Sequence, residues 1–213
     1  MSTIRYTLLS DGSSDRMLMP ILDWLFHQHC PESSVDSAWA DLGRLPRPPK
    51  TLPEKITTTL DLYPCDILFI HRDAEKESFG VRFRQITEAV HGLNCPPVIC
   101  VIPVRMQEAW LLFDKEAIRR AAGNPNGLTA LNLPRLNKVE SLPDPKERLF
   151  ELIRKSSDLK GTRLKKLNLH KCAFLVSQSI ADFSPLRSVR AFCAMEETML
   201  ATLADSGYLV SGA

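Results

Sequence analysis

CDILFIHRD, residues 65–73, decides the architecture of this chain. Its apolar run is unbroken and ends abruptly in His71, Arg72 and Asp73. A strand with one wet face alternates apolar and polar residues, whereas a strand buried on both faces of a parallel sheet does not need to. Downstream, residues 79–90 place Val81, Phe83, Ile86 and Val90 at helical spacing. PPVICVIPV (96–104) then reads as a second buried strand, and EAWLLFDKEAIRRAA (108–122) as the next helix. Upstream, a helix is predicted over 52–63, preceded by the proline-rich loop GRLPRPPK with Arg44, Arg47 and Lys50. VDSAWADL (35–42) reads as a short strand, and TIRYTLLS (3–10) as the first strand. Between them Met17, Leu18, Ile21, Leu22, Leu25 and Phe26 form a helical stripe, with Ser13 or Ser14 as its cap. Pro20 falls inside that stripe, so the helix should start late or bend there.

Strands alternating with helices predict an α/β class with a mostly parallel, Rossmann-like sheet flanked by helices. Residues 1–122 form this domain, 123–145 a loop or linker rich in Asn, Pro and Gly, and 146–213 a helical C-terminal cap packed on the same domain. The cap should break near Phe183–Pro185. Hydrophobic residues make up 44% and charged residues 24% of the chain, enough to bury a real core. A formal charge of +2 does not by itself imply nucleic acid. Six cysteines without a Cys-x-x-Cys pair, and an N-terminus without a basic-then-apolar leader, point to reduced thiols in the cytoplasm. Apolar runs are strand-sized, so no membrane partner is expected. His27, His29 and Cys30 lack a matching second pair, so zinc is not expected either.

Ligands of parallel α/β sheets gather at the carboxyl ends of the strands. Asp11 follows the first strand, Asp73 and Glu75 the strand within 65–71, and Glu108 the strand within 96–104. Hard cations such as Mg²⁺ or Mn²⁺ take oxygen ligands. Without a cation, carboxylates so close raise one another's pKa. The alternative is that these acids cap helices or pair with Arg16, Arg72 and Arg105, their sequence neighbours. His71 ends the buried strand either as a partner of a ligand or as a structural histidine satisfied by backbone. Residues 155–171 concentrate Lys155, Lys160, Arg163, Lys165, Lys166 and Lys171 against one acid, Asp158. Such a patch can bind nucleic-acid phosphates, or can simply be a solvated face.

SDGSSD (10–15) and HRDAE (71–75), in that order and each after a strand, resemble the TOPRIM fold of topoisomerases, bacterial primases and OLD-type nucleases. IPVRMQEAWLLFD (102–114) and the late segment from Leu169 to Leu200 resemble a narrower family of small bacterial TOPRIM-like proteins. The likeness covers most of residues 4–114 and part of the C-terminal helices. Two positions depart from the usual pattern: Asp11 stands where the fold typically has Glu, and Glu75 where it has Asp. The resemblance implies a metal-dependent phosphodiester hydrolase, a nuclease acting on DNA or RNA. Asp73 and Glu75 would hold Mg²⁺ or Mn²⁺, Asp11 would be a ligand or general base, and Glu108 would complete the set. Gly12 would let backbone approach phosphate, or serve a tight turn. Lys160, Arg163, Lys165, Lys166 and Lys171 would bind the nucleic acid. The tyrosines (Tyr6, Tyr63, Tyr208) lack the large domain a topoisomerase needs, and no zinc module supports a primase. No G-x-x-x-x-G-K-[ST] loop is present, so the AAA/ABC-type ATPase that accompanies such proteins in anti-phage or anti-plasmid defence would be a separate chain. A second reading is a catalytically degenerate binding subunit of a multi-protein complex, which the two departures favour. A phosphoacceptor receiver would need a Lys after a further strand, and none follows Val104.

Overall fold

Residues 3–209 are described by a computed structural model. Four strands, β1 (Thr3–Leu9), β2 (Ser34–Trp39), β3 (Ile67–His71) and β4 (Val98–Val101), form one all-parallel sheet in the order β2-β1-β3-β4. Every residue of β3 is buried. Its side chains alternate between two cores, Ile67 and Phe69 facing one and Leu68 and Ile70 the other. That explains the unbroken apolar run: neither face meets water.

Helices α2 (Leu52–Leu62) and α3 (Phe79–Val90) cover the face of Leu68 and Ile70, contributing Ile56, Ile86 and Ala89. Thr51 caps α2 by accepting from the Glu54 N–H at 3.3 Å, and Ser78 caps α3 in the same way through Val81. The opposite face is covered by α1 (Met19–His29), where Phe26 stacks on Tyr6 at 4.9 Å and Phe69 meets Tyr6 edge-on at 5.3 Å. Packed on this same face are α4 (Lys115–Ala121), α5 (Pro145–Ser156), α7 (Leu169–Ser179) and α8 (Arg190–Asp205), through Ile118, Ile153, Val176 and Phe192. A short exposed helix, α6 (Gly161–Lys165), links α5 to α7. Glu196 of α8 accepts from Arg187 at 2.7 Å and meets His29 of α1 at 2.8 Å, tying the last helix to the first. Segment 123–145 carries Leu131 and Val139 into this core and includes a 3-10 turn at Leu136–Ser141.

Several boundaries differ from those read in the sequence. The first helical stripe begins as a 3-10 turn (Ser13–Leu18), and α1 starts only at Met19 with Pro20 in its first turn, where a missing N–H costs nothing. Neither Ser13 nor Ser14 caps it: the N-cap position is Gly12. Residues 108–122 are not one helix. A 3-10 turn at Gln107–Leu111 is separated from α4 by Asp114, whose carboxylate caps α4 by accepting from Ala117 N–H at 2.9 Å. The strand within 96–104 pairs only over Val98–Val101, being flanked by Pro96, Pro97 and Pro103. No helix among the described residues is long and apolar enough to cross a membrane.

Candidate functional site

From β1 the chain crosses to β2 on one side, and β3 lies on the other side of β1. The crevice beyond the carboxyl ends of β1 and β3 is therefore the topological switch point, where open α/β sheets bind ligands. A recess of about 340 Å³ opens there, lined by Asp11, Gly12, Asp15, His71, Arg72, Asp73, Glu75 and Arg82.

Two acids stand at its centre, Asp15 buried and Asp73 half-buried, and both are held by one residue of the β4 loop. Asp15 accepts at Oδ1 from the Gln107 side-chain N–H at 2.7 Å and at Oδ2 from the Gly12 N–H at 2.8 Å. Asp73 accepts from the Gln107 backbone N–H at 2.9 Å. Gln107 thus clasps the loop after β1 to the loop after β3. Its amide oxygen is buried and meets no donor among the described residues. His71 sits beneath both acids. Its Nδ1 lies 2.9 Å from the Val101 carbonyl, which can only accept, so Nδ1 carries the proton. Nε2 then presents a lone pair 3.6 Å from Asp73 and 4.0 Å from Asp15. Burial pulls the His71 pKa down, so the ring stays neutral.

The carboxyl of Asp73 is pushed up to about 8, first by burial, then by the charges of Glu108 and Asp15, against the Gln107 N–H. Glu108, 3% exposed, is raised by burial too, with the Lys146 ammonium 3.9 Å away. Asp11 behaves oppositely. Burial pushes its pKa up, but Lys55 at 2.6 Å and Arg72 at 3.2 Å outweigh that and hold it below the ordinary range. Glu75 stands at the exposed rim, 3.8 Å from Arg82. Its backbone has φ 53°, and its N–H donates to the carbonyl of Arg105, itself at φ 67°. Two facing non-glycine residues in the left-handed region are strain of the kind that accumulates at functional sites.

The structure thus brings together Asp11, Gly12, Asp73 and Glu75, with Glu108 close enough to raise Asp73. Gly12 has an extended φ of −134° and gives its N–H to Asp15, and a Cβ there would meet only ordinary contacts. Lys160, Arg163, Lys165, Lys166 and Lys171 are exposed, from the N-cap of α6 to the start of α7, outside the recess. Asp15, Gln107 and Lys55 belong to the site and were not singled out as site residues by sequence. For Asp15 a signal existed, since it closes the SDGSSD stretch. Gln107 and Lys55 reach the site through contacts spanning 92 and 44 residues, which no local pattern reveals.

No protein-family model, no curated protein and no solved structure matches this chain.

An all-oxygen donor set suits a hard cation. Among the described residues no three His, Cys, Asp or Glu side chains form a ready-made cage. Mg²⁺ needs no such cage, because it is commonly held by one or two carboxylates with water and substrate phosphate. The unpartnered Gln107 oxygen and the raised Asp73 carboxyl are compatible with a cation.

A pH effect follows. An unfolded aspartate loses its proton near pH 4, whereas folded Asp73 keeps it to about 8. Over that window the native state binds the extra proton, so the contribution of Asp73 to stability declines as pH rises and levels off above about 8. Between pH 5 and pH 8 in EDTA, the wild type should lose more of its urea midpoint than Asp73→Asn does. Equal losses would refute the assignment.

Proposed function

We propose that this protein is a metal-dependent phosphodiester hydrolase acting on DNA or RNA, of the TOPRIM-like kind its sequence resembles. The supporting observation is that Asp15 and Asp73, from the loops after β1 and β3, converge at the switch point around one neutral histidine, with Glu108 of the β4 loop close enough to raise Asp73. Asp73 would hold Mg²⁺ or Mn²⁺ together with Glu108 or Glu75, giving up its proton to do so. Such a cation makes water a better nucleophile and neutralises charge developing on the phosphodiester. Asp15 and Gln107 position the Asp73 loop. His71 keeps the recess floor neutral and accepts a proton at Nε2. Asp11 fixes Lys55 and Arg72 at the mouth, where their cations would meet the non-bridging phosphate oxygens.

The same resemblance carries the wider reading: a cytoplasmic protein working in anti-phage or anti-plasmid defence beside a separately encoded AAA/ABC-type ATPase. A degenerate binding subunit is the second reading, favoured by the double pairing that occupies Asp11. The test is a panel of plasmid, single-stranded DNA, total RNA and tRNA incubated with Mg²⁺, Mn²⁺ or EDTA. Cleavage that requires metal is the expected result. Silence under every metal, with binding retained, would favour the degenerate subunit.

A further inference from the structure

Beside the carboxylate recess, and sharing Asp11 and Gly12 with it, lies a groove of about 890 Å³. Two aromatic rings line it, Trp39 at the end of β2 and Phe174 on α7. The Trp39 indole is fixed by donating its N–H to Ser10 Oγ at 3.0 Å. Three cations stand among these rings: Arg16, Arg44 and Lys55. Arg16 lies over the Phe174 ring at 5.7 Å and makes no ion pair among the described residues. Arg44 pairs with Asp41 but is 87% exposed, so a phosphate can compete for it. Past Arg16, Trp39 and Phe174 the groove continues into a second recess of about 430 Å³ that reaches Ser37 and Gln178. His170 also lines the first groove, next to Lys171 at the end of the basic run, whose Lys160, Arg163, Lys165 and Lys166 are exposed and have no ion pair among the described residues.

We propose that this groove binds a single-stranded stretch of nucleic acid, its bases on Trp39 and Phe174 and its phosphates on Arg16, Arg44 and Lys55, and leads the strand to the carboxylates. Aromatic platforms interleaved with cations suit any base sequence, because every base has a π-face and every linkage a charge. A duplex keeps its bases inside its own stack and has no free face to offer either ring. The fate of the bound strand rests on the hydrolase reading; the binding itself does not.

The test is fluorescence anisotropy in EDTA, which separates binding from hydrolysis, with labelled 20-mers of dT and rU and a duplex of equal length. Single strands should bind at least about tenfold more tightly than the duplex, with affinity falling as salt rises. Arg44→Glu, at a nearly fully exposed position, should weaken single-strand binding by about tenfold or more. Lys138→Glu, which removes the same charge beside a different recess, should not. Tryptophan fluorescence should be quenched on binding, and the quench should be lost in Trp39→Phe. Duplex binding as tight as single-strand binding, or an Arg44→Glu protein that binds like wild type, overturns the proposal. A wild type that binds strands but never cuts them with metal leaves the groove standing and removes the hydrolase reading.

Discussion

Replacing Asp73 with Ala is expected to lower metal-dependent phosphodiester cleavage about a thousandfold, the loss typical of removing a group that meets the charge developing in a transition state. Asp73 is the acid on which the recess converges: Glu108, Asp15 and Glu75 all act on its carboxyl, and Gln107 orients it. Asp73 belongs to neither hydrophobic core and its side chain is about a quarter exposed, so the variant should stay folded. In metal-free buffer it should even gain stability near pH 8, where the wild type must carry an unfavourable buried charge. Asp15→Asn should cost less, about ten- to a hundredfold, because Asp15 acts through Gln107 and Gly12 as a positioning residue. Initial rates for the three proteins check this order. Asp15→Asn more damaging than Asp73→Ala would move the metal-holding role to Asp15.

Trp110→Ala should destabilise the protein by about 3–5 kcal/mol, the range for truncating a large aromatic in a core. Trp110 is fully buried and meets Phe192 of α8 edge-on at 5.5 Å. It sits in the same 3-10 turn as Gln107 and Glu108, so the turn carrying the site is anchored by the C-terminal helices. Its indole N–H finds no acceptor among the described residues, so Trp110→Phe should retain most of the stability. Urea unfolding of both variants is the measurement. A loss below about 1 kcal/mol for Trp110→Ala would show that the helices do not brace this turn.

The parallel sheet was legible because the 65–71 run is short, rich in β-branched and aromatic residues and stopped by charge, which suits a strand with two dry faces, and Leu68 and Ile70 pack opposite Ile67 and Phe69 as that requires. The strand-end rule placed Asp11 and Asp73 at one rim for the same reason. EAWLLFD misled because it is apolar all round: periodicity alone cannot separate a buried 3-10 turn from a helix. Asp114 was the available clue, an N-cap residue in the middle of the run. The electrostatic roles were not legible. Whether an acid is free or neutralised depends on Lys55 arriving from α2 and on Gln107 bridging two loops. Sequence thus gave Asp11 and Asp73 equal standing, whereas the structure leaves Asp11 paired and Asp73 protonated.

The most direct test of the proposed cation site is Mn²⁺ binding followed by electron paramagnetic resonance, with wild type and Asp73→Asn titrated side by side at pH 8. Stoichiometric binding by the wild type, weakened at least about tenfold in the variant, is predicted. Wild-type binding no tighter than that of the variant would contradict the account.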